Sequence, residues 1–234
     1  MRGLLPESVR TACLSGDAGA DELFPEEAAA VARAVPARRA EFATVRYLAR
    51  RALVQLGEPP VPLPPGPDRA PIWPAGVVGS LSHCPGFRAA AVARSDRIAS
   101  IGIDAEPDAP LPTGVAELVC LPEERVALAG LSRRLPGLSW DRLLFSAKES
   151  VFKCWHPLMR CWLDFLECEL RILPEPPGDR GLFEGRLLVP GPPGPDGGRI
   201  RILSGRWRRR DGVLLTAVHL PRSAVGRTVG PTAG

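Results

Sequence analysis

Apolar residues recur at helical spacing between residues 140 and 158, where Leu143, Ala147, Val151, Cys154 and Leu158 form one stripe. Glu149 and Lys153 stand one turn apart on roughly the opposite side, so this helix can be packed and still present an acid and a base. A second helical stripe, Phe42, Val45, Leu48, Ala49, Ala52, Leu53 and Leu56, predicts a helix over 36–56 that stops at Gly57. It leaves Arg38, Arg39, Arg46 and Arg50 facing outward or lining a cleft. Helix starts are expected at Phe24-Pro25-Glu26-Glu27 and Leu121-Pro122-Glu123-Glu124, where proline and acids suit a first turn. Short alternating runs predict strands at 9–14, 77–83, 88–94 and 98–104, the last three joined as a meander, and at 167–173, 182–189, 200–208 and 213–220. Proline dominates 58–74, which predicts an extended connection over the surface.

That order of helices and strands predicts an α+β fold built as two halves of similar plan. The halves are expected to span 1–105 and 106–220, followed by a disordered tail over 221–234. Composition narrows the class: 234 residues with 45% apolar content describe a globular chain, and no apolar run is long enough to span a membrane. The N-terminus lacks a secretory apolar region, and the expected location is the cytoplasm. Six cysteines without a Cys-x-x-Cys pair read as reduced, mostly buried thiols. A net charge of +4 favours an anionic partner, but no nucleic-acid recognition motif accompanies it.

The charged residues carry more information than their balance. Lys148 and Lys153 are the only two lysines, and they bracket Glu149; every other cation of this type is arginine. A compact, mobile ammonium suits a shifting phosphate group, whereas a guanidinium fork suits a fixed one. Asp104 and Glu106, two residues apart in an extended run, point to the same face. Their oxygens suit Mg²⁺, which takes one or two carboxylates with water and substrate phosphate. Each signal alone has a plain structural reading, a solvated Glu/Lys pair or a strand end entering solvent at Pro107. No Ser/His/Asp or Cys/His pattern supplies a nucleophile. A metal-dependent phosphotransferase or nuclease and a non-enzymatic basic anion-binding module are both open on these residues.

Three segments in order, Gly79-Ser-Leu-Ser-His83, Ile101-Gly-Ile-Asp-Ala-Glu106 and Phe145-Ser-Ala-Lys-Glu-Ser-Val-Phe-Lys153, resemble the Sfp-type 4′-phosphopantetheinyl transferases. The resemblance is to the branch of enterobactin synthase component D-like and PptT-like enzymes. Arg38-Arg-Ala-Glu-Phe-Ala-Thr-Val-Arg46, Trp73-Pro74, Leu121-Pro-Glu-Glu124 and Trp140-Asp-Arg142 extend it over roughly 25–220.

The resemblance implies a pseudo-dimer of two α+β halves with coenzyme A and Mg²⁺, or Mn²⁺ in its place, between them. It implies transfer of the phosphopantetheine arm of coenzyme A to a serine of an apo acyl, peptidyl or aryl carrier protein, releasing 3′,5′-ADP, by a monomer. By motif match, Asp104, Glu106 and Glu149 would hold the metal, and Lys148 and Lys153 would neutralise the diphosphate. Ser82 and His83 would contact the 3′-phosphate, with Arg38, Arg46 and, in looser register, Arg69 gripping the phosphates. Glu149, alone or through a metal-bound water, would accept the serine proton. The carrier surface is expected near 107–135 and the helices of the second half, including Arg125, Arg133 and Arg134.

Overall fold

The computed structural model describes residues 1, 3–18 and 23–226. Helix α1 (Pro25–Ala30) and helix α2 (Pro36–Gln55) both carry proline at their starts, where no intrahelical donor is lost. Strands β1 (Val9–Ser15), β2 (Val77–Cys84) and β3 (Phe87–Arg94) form an antiparallel sheet in the order β1-β3-β2. Strand β3 is buried on both faces. Ala90 and Val92 pack with Leu48, Ala49, Ala52 and Leu53 of α2, while Ala89, Ala91 and Ala93 pack toward the second sheet. Its run of small residues is what lets a helix and a second sheet approach it together.

The second sheet has five antiparallel strands in the order β4-β8-β7-β6-β5: β4 (Ile98–Pro107), β5 (Cys168–Glu175), β6 (Arg180–Leu187), β7 (Ile202–Arg210) and β8 (Val213–Pro221). The expected meander is therefore only a β2–β3 hairpin. Both edges of β3 are already occupied, by β1 and β2, so β4 crosses over to pair with β8. The chain leaves the first sheet at Arg94 and enters the second at Ile98. Strand β4 still runs beside β2, where the Ser80 hydroxyl accepts from the Ile103 amide at 3.1 Å and the Ser82 hydroxyl accepts from the Ala105 amide at 3.0 Å. Two side chains thus replace part of a missing ladder.

Helix α3 (Val115–Val119), helix α4 (Pro122–Arg134) and helix α5 (Trp140–Met159) lie between β4 and β5 in the chain. Helix α5 packs across the second sheet through Leu143, Ala147, Val151 and Cys154, with Trp140, Trp155 and Trp207 in the same core. It crosses β4 at Gly102, where a Cβ would stand 1.9 Å from the Ser150 carbonyl oxygen. Only glycine permits that approach, and the Ser100 hydroxyl donates to the Cys154 carbonyl at 2.7 Å beside it. The end of the chain departs from expectation up to residue 226: β8 reaches Pro221, a 3-10 turn covers Arg222–Ala224, and the Arg222 amide donates to the Arg97 carbonyl at 2.8 Å. The rest of the expected tail, 227–234, lies outside the described residues. All six cysteines are free thiols, and no described helix is long and apolar enough to cross a membrane.

Candidate active site

At about 100° per residue, Arg142, Ser146, Glu149 and Lys153 fall within an arc of about 60° on α5. That face meets the acids of β4. Asp104 is buried and fully engaged: its Oδ1 accepts from Lys153 Nζ at 2.7 Å and from the Ser82 hydroxyl at 3.0 Å, and its Oδ2 accepts from the Ser146 hydroxyl at 2.8 Å. Behind it, Thr216 of β8 links Ser146 and Ser150 through hydroxyl contacts of 3.0 and 2.6 Å, so the residues orienting Asp104 are themselves fixed. Glu106 accepts from Arg142 at 2.9 Å.

The three acids sense one another. Burial lifts the Glu149 carboxyl above its ordinary range; Lys153 opposes this, and the charges of Asp104 and Glu106 add to it. Burial and then Asp104 likewise raise Glu106, against Arg142 and Lys153. Among the described residues no three such side chains already stand as a metal-ligand set. Arg142 draws Glu106 to one side, while Lys153 takes an oxygen of Asp104.

Across from these acids stand cations of the first half. Arg38 and His83 come together, with Nη1 to Nε2 at 2.7 Å, and Glu41 lies 3.3 Å from Arg38 and 3.7 Å from His83. Burial pulls the His83 imidazole below its ordinary range; Glu41 opposes, and Arg38, Arg88 and Lys153 push it further down. Lys153 therefore acts electrostatically on both banks, on His83 from the first half and on Glu106 and Glu149 from the second.

Of the four arginines that the stripe of α2 leaves to face outward or line a cleft, Arg46 and Arg50 are buried. Arg46 lies over the Phe42 ring at 3.5 Å from the centroid and donates from Nε to the Leu63 carbonyl at 3.3 Å. Burial lowers its pKa to about 10, with Glu27 opposing, so it remains a cation at neutral pH. Arg50 is bound to the fully buried Glu27 at 2.9 Å. Arg69 is exposed at φ 65° in the turn between Pro65 and Pro71, beside Asp68, which lies 3.5 Å from His156 at the end of α5. The structure brings it into no contact with the other predicted residues.

Two of the predicted side chains turn inward to protein partners. The Ser82 hydroxyl is buried against Asp104 and the Ala105 amide, where it orients the carboxylate. Lys148 stands about 100° around α5 from Glu149 and points inward, to Val119 and Phe165 carbonyls and Glu124. Sequence reading also missed Arg142, Ser146, Thr216 and Glu41. The first two share the face of Glu149 and Lys153 at spacings of three, four and seven, and Glu41 follows Arg38 by three on α2, signals present in the sequence; Thr216 is joined to the site only by tertiary contacts.

Comparison with known proteins bears on this cleft directly. The model of the 4′-phosphopantetheinyl transferase N-terminal domain matches residues 26–93, and that of the 4′-phosphopantetheinyl transferase superfamily matches residues 100–187. The chain is 57% identical over 202 residues to the 4′-phosphopantetheinyl transferase Svp of Streptomyces mobaraensis, covering 86% of this chain and 80% of that protein. It is 43% identical to PptT of Mycobacterium tuberculosis over 93% of this chain and 99% of that one. To enterobactin synthase component D of Escherichia coli K12 it is 37% identical, over 50% of this chain and 54% of that one. Matches of that extent, running through both sheets, make the chain a transferase of the 4′-phosphopantetheinyl transferase superfamily.

Proposed function

We propose that the cleft binds coenzyme A and moves its phosphopantetheinyl arm to a serine of an apo acyl, peptidyl or aryl carrier protein, releasing 3′,5′-ADP. The observation that carries this reading is Lys153, an ammonium between the Asp104–Glu106–Glu149 acids and the Arg38–His83 pair. Guanidiniums and a histidine on one bank suit the phosphates of the coenzyme; acids on the other suit a divalent cation and a proton. Arg46 offers charge with no carboxylate of the described residues at hydrogen-bond distance.

The donor set fits Mg²⁺ or Mn²⁺: Asp104, Glu106 and Glu149 are oxygen donors, and burial with mutual repulsion lifts Glu106 and Glu149, as expected of acids that gain from a nearby cation. When bound, the ion neutralises the diphosphate and the charge that builds on the departing oxygen. The chain's own residues do the rest. Arg38, His83 and Arg46 hold the coenzyme, and Lys153 neutralises its diphosphate. The carrier serine oxygen bonds to the phosphorus bearing the pantetheine arm, the bond from that phosphorus to the bridging oxygen breaks, and its electron pair leaves with 3′,5′-ADP. Glu149, its carboxyl raised above the ordinary range by burial, takes the serine proton. Both banks come from one chain, so a monomer suffices.

The test is intact-mass measurement of a panel of apo carrier proteins incubated with this protein, coenzyme A and Mg²⁺. A gain of one phosphopantetheinyl group on a carrier is expected. Hydrolysis of coenzyme A or cleavage of nucleic acid with every carrier unmodified would overturn the reading.

A further inference from the structure

We propose that Lys148 is a positioning residue: its buried pair with Glu124 fastens α3, α4 and the turn at Phe165–Glu167 to α5, and so sets Glu149, without touching the diphosphate. This rests on the transferase reading for the role of Glu149. The Lys148 ammonium has three donors, and all are used at 2.8 Å, by the Val119 carbonyl, Glu124 Oε2 and the Phe165 carbonyl. Its side chain is 2% exposed and that of Glu124 is 1%.

Glu124 is equally committed. Its Oε2 also accepts from the Leu121 amide at 2.7 Å, closing the start of α4, and its Oε1 accepts from the Leu170 amide of β5 at 2.6 Å. One ion pair therefore joins the end of α3, the start of α4, the Phe165–Glu167 turn and β5 to the residue preceding Glu149. For Lys148 to reach a diphosphate it would break three bonds, leave Glu124 charged and unpaired in the interior, and cross about 100° of helix surface. A flexible stem does not offset that. Lys148 and Glu149 also line one small hollow with Phe152, Trp162 and Phe165, so the floor beneath the acid is the part the pair pins.

The test compares K148M and E124Q with the parent, measuring coenzyme A affinity by calorimetry with Mg²⁺ and turnover on an apo carrier well below each melting temperature. Both variants are expected to melt lower, to bind coenzyme A within about threefold of the parent, and to lose about tenfold or more in kcat. A large loss of coenzyme A affinity in K148M with E124Q unaffected would mean that Lys148 reaches the coenzyme and would overturn the proposal. Normal kcat in the folded variants would reduce the pair to mere stability and overturn it too. Should K148M fail to fold, E124Q decides alone, since it keeps the shape of Glu124 and an oxygen for Leu170. Parent turnover in the same assay checks the transferase reading separately.

Discussion

Gly102→Ala tests how the site is assembled. The added Cβ would lie 1.9 Å from the Ser150 carbonyl oxygen and 2.7 Å from the Cys154 amide nitrogen, both helix backbone that no rotamer change can move. Ordinary contact begins at 3.4 Å, so α5 must retreat by about 3.4 − 1.9 = 1.5 Å at the point where it carries Glu149 and Lys153 over Asp104. Overpacking of this kind costs about 3 kcal/mol, the upper end of the usual range because the obstacle is rigid. For a chain of this length that is a fall in Tm of about 6–12 °C. A misplacement of about 1 Å costs on the order of 100-fold in rate, so kcat for carrier modification should drop by about that factor. Coenzyme A affinity should fall less, since Arg38, His83 and Arg46 belong to the other half. Gly130→Ala in α4 is the control: nothing lies within 4 Å of its added Cβ, and helix propensity should raise stability by about 0.5–1 kcal/mol. A G102A protein with parental Tm and turnover would refute the close crossing as the means of bringing the acids together.

Glu149→Gln should abolish most carrier modification at saturating Mg²⁺, read as initial rate by intact mass. In metal-free buffer it should also melt above the parent at neutral pH: the folded carboxyl, raised above 4.5, holds its proton more tightly than the unfolded one, so its stabilising contribution is lost as pH rises through the folded value. That advantage should vanish in thermal scans below 4.5. His83→Ala removes the partner of Arg38 and should raise KM for coenzyme A by about tenfold, with little change for the 3′-dephospho form; equal effects would remove His83 from the 3′-phosphate. Glu27→Ala removes the carboxylate that holds Arg50 and accepts from the Leu63 and Phe24 amides, and chemical denaturation should show a loss of about 3–5 kcal/mol.

Local periodicity was a sound guide wherever one face of one element decides the outcome. The stripes of α2 and α5 are buried as their spacing predicts, and Asp104 and Glu106 do share a face of β4. It failed where the partner is distant. A meander is the nearest pairing for β4, yet β1 had already taken the free edge of β3, a fact carried by residues nearly eighty positions away. For Arg46 and Arg50 the spacing left solvent and a cleft both open; buried Glu27 and the Phe42 ring make the interior tolerable for them.

The sequence by itself determined the element types, the ordered motifs of the family and the acid-and-base face of α5, because these depend on spacing within about two helical turns or one strand. The tertiary structure alone decided what each charged group does. Whether Lys148 turns to Glu124 or Ser82 to Asp104 depends on which unsatisfied polar groups the folded chain places against it, and burial makes the nearest partner binding.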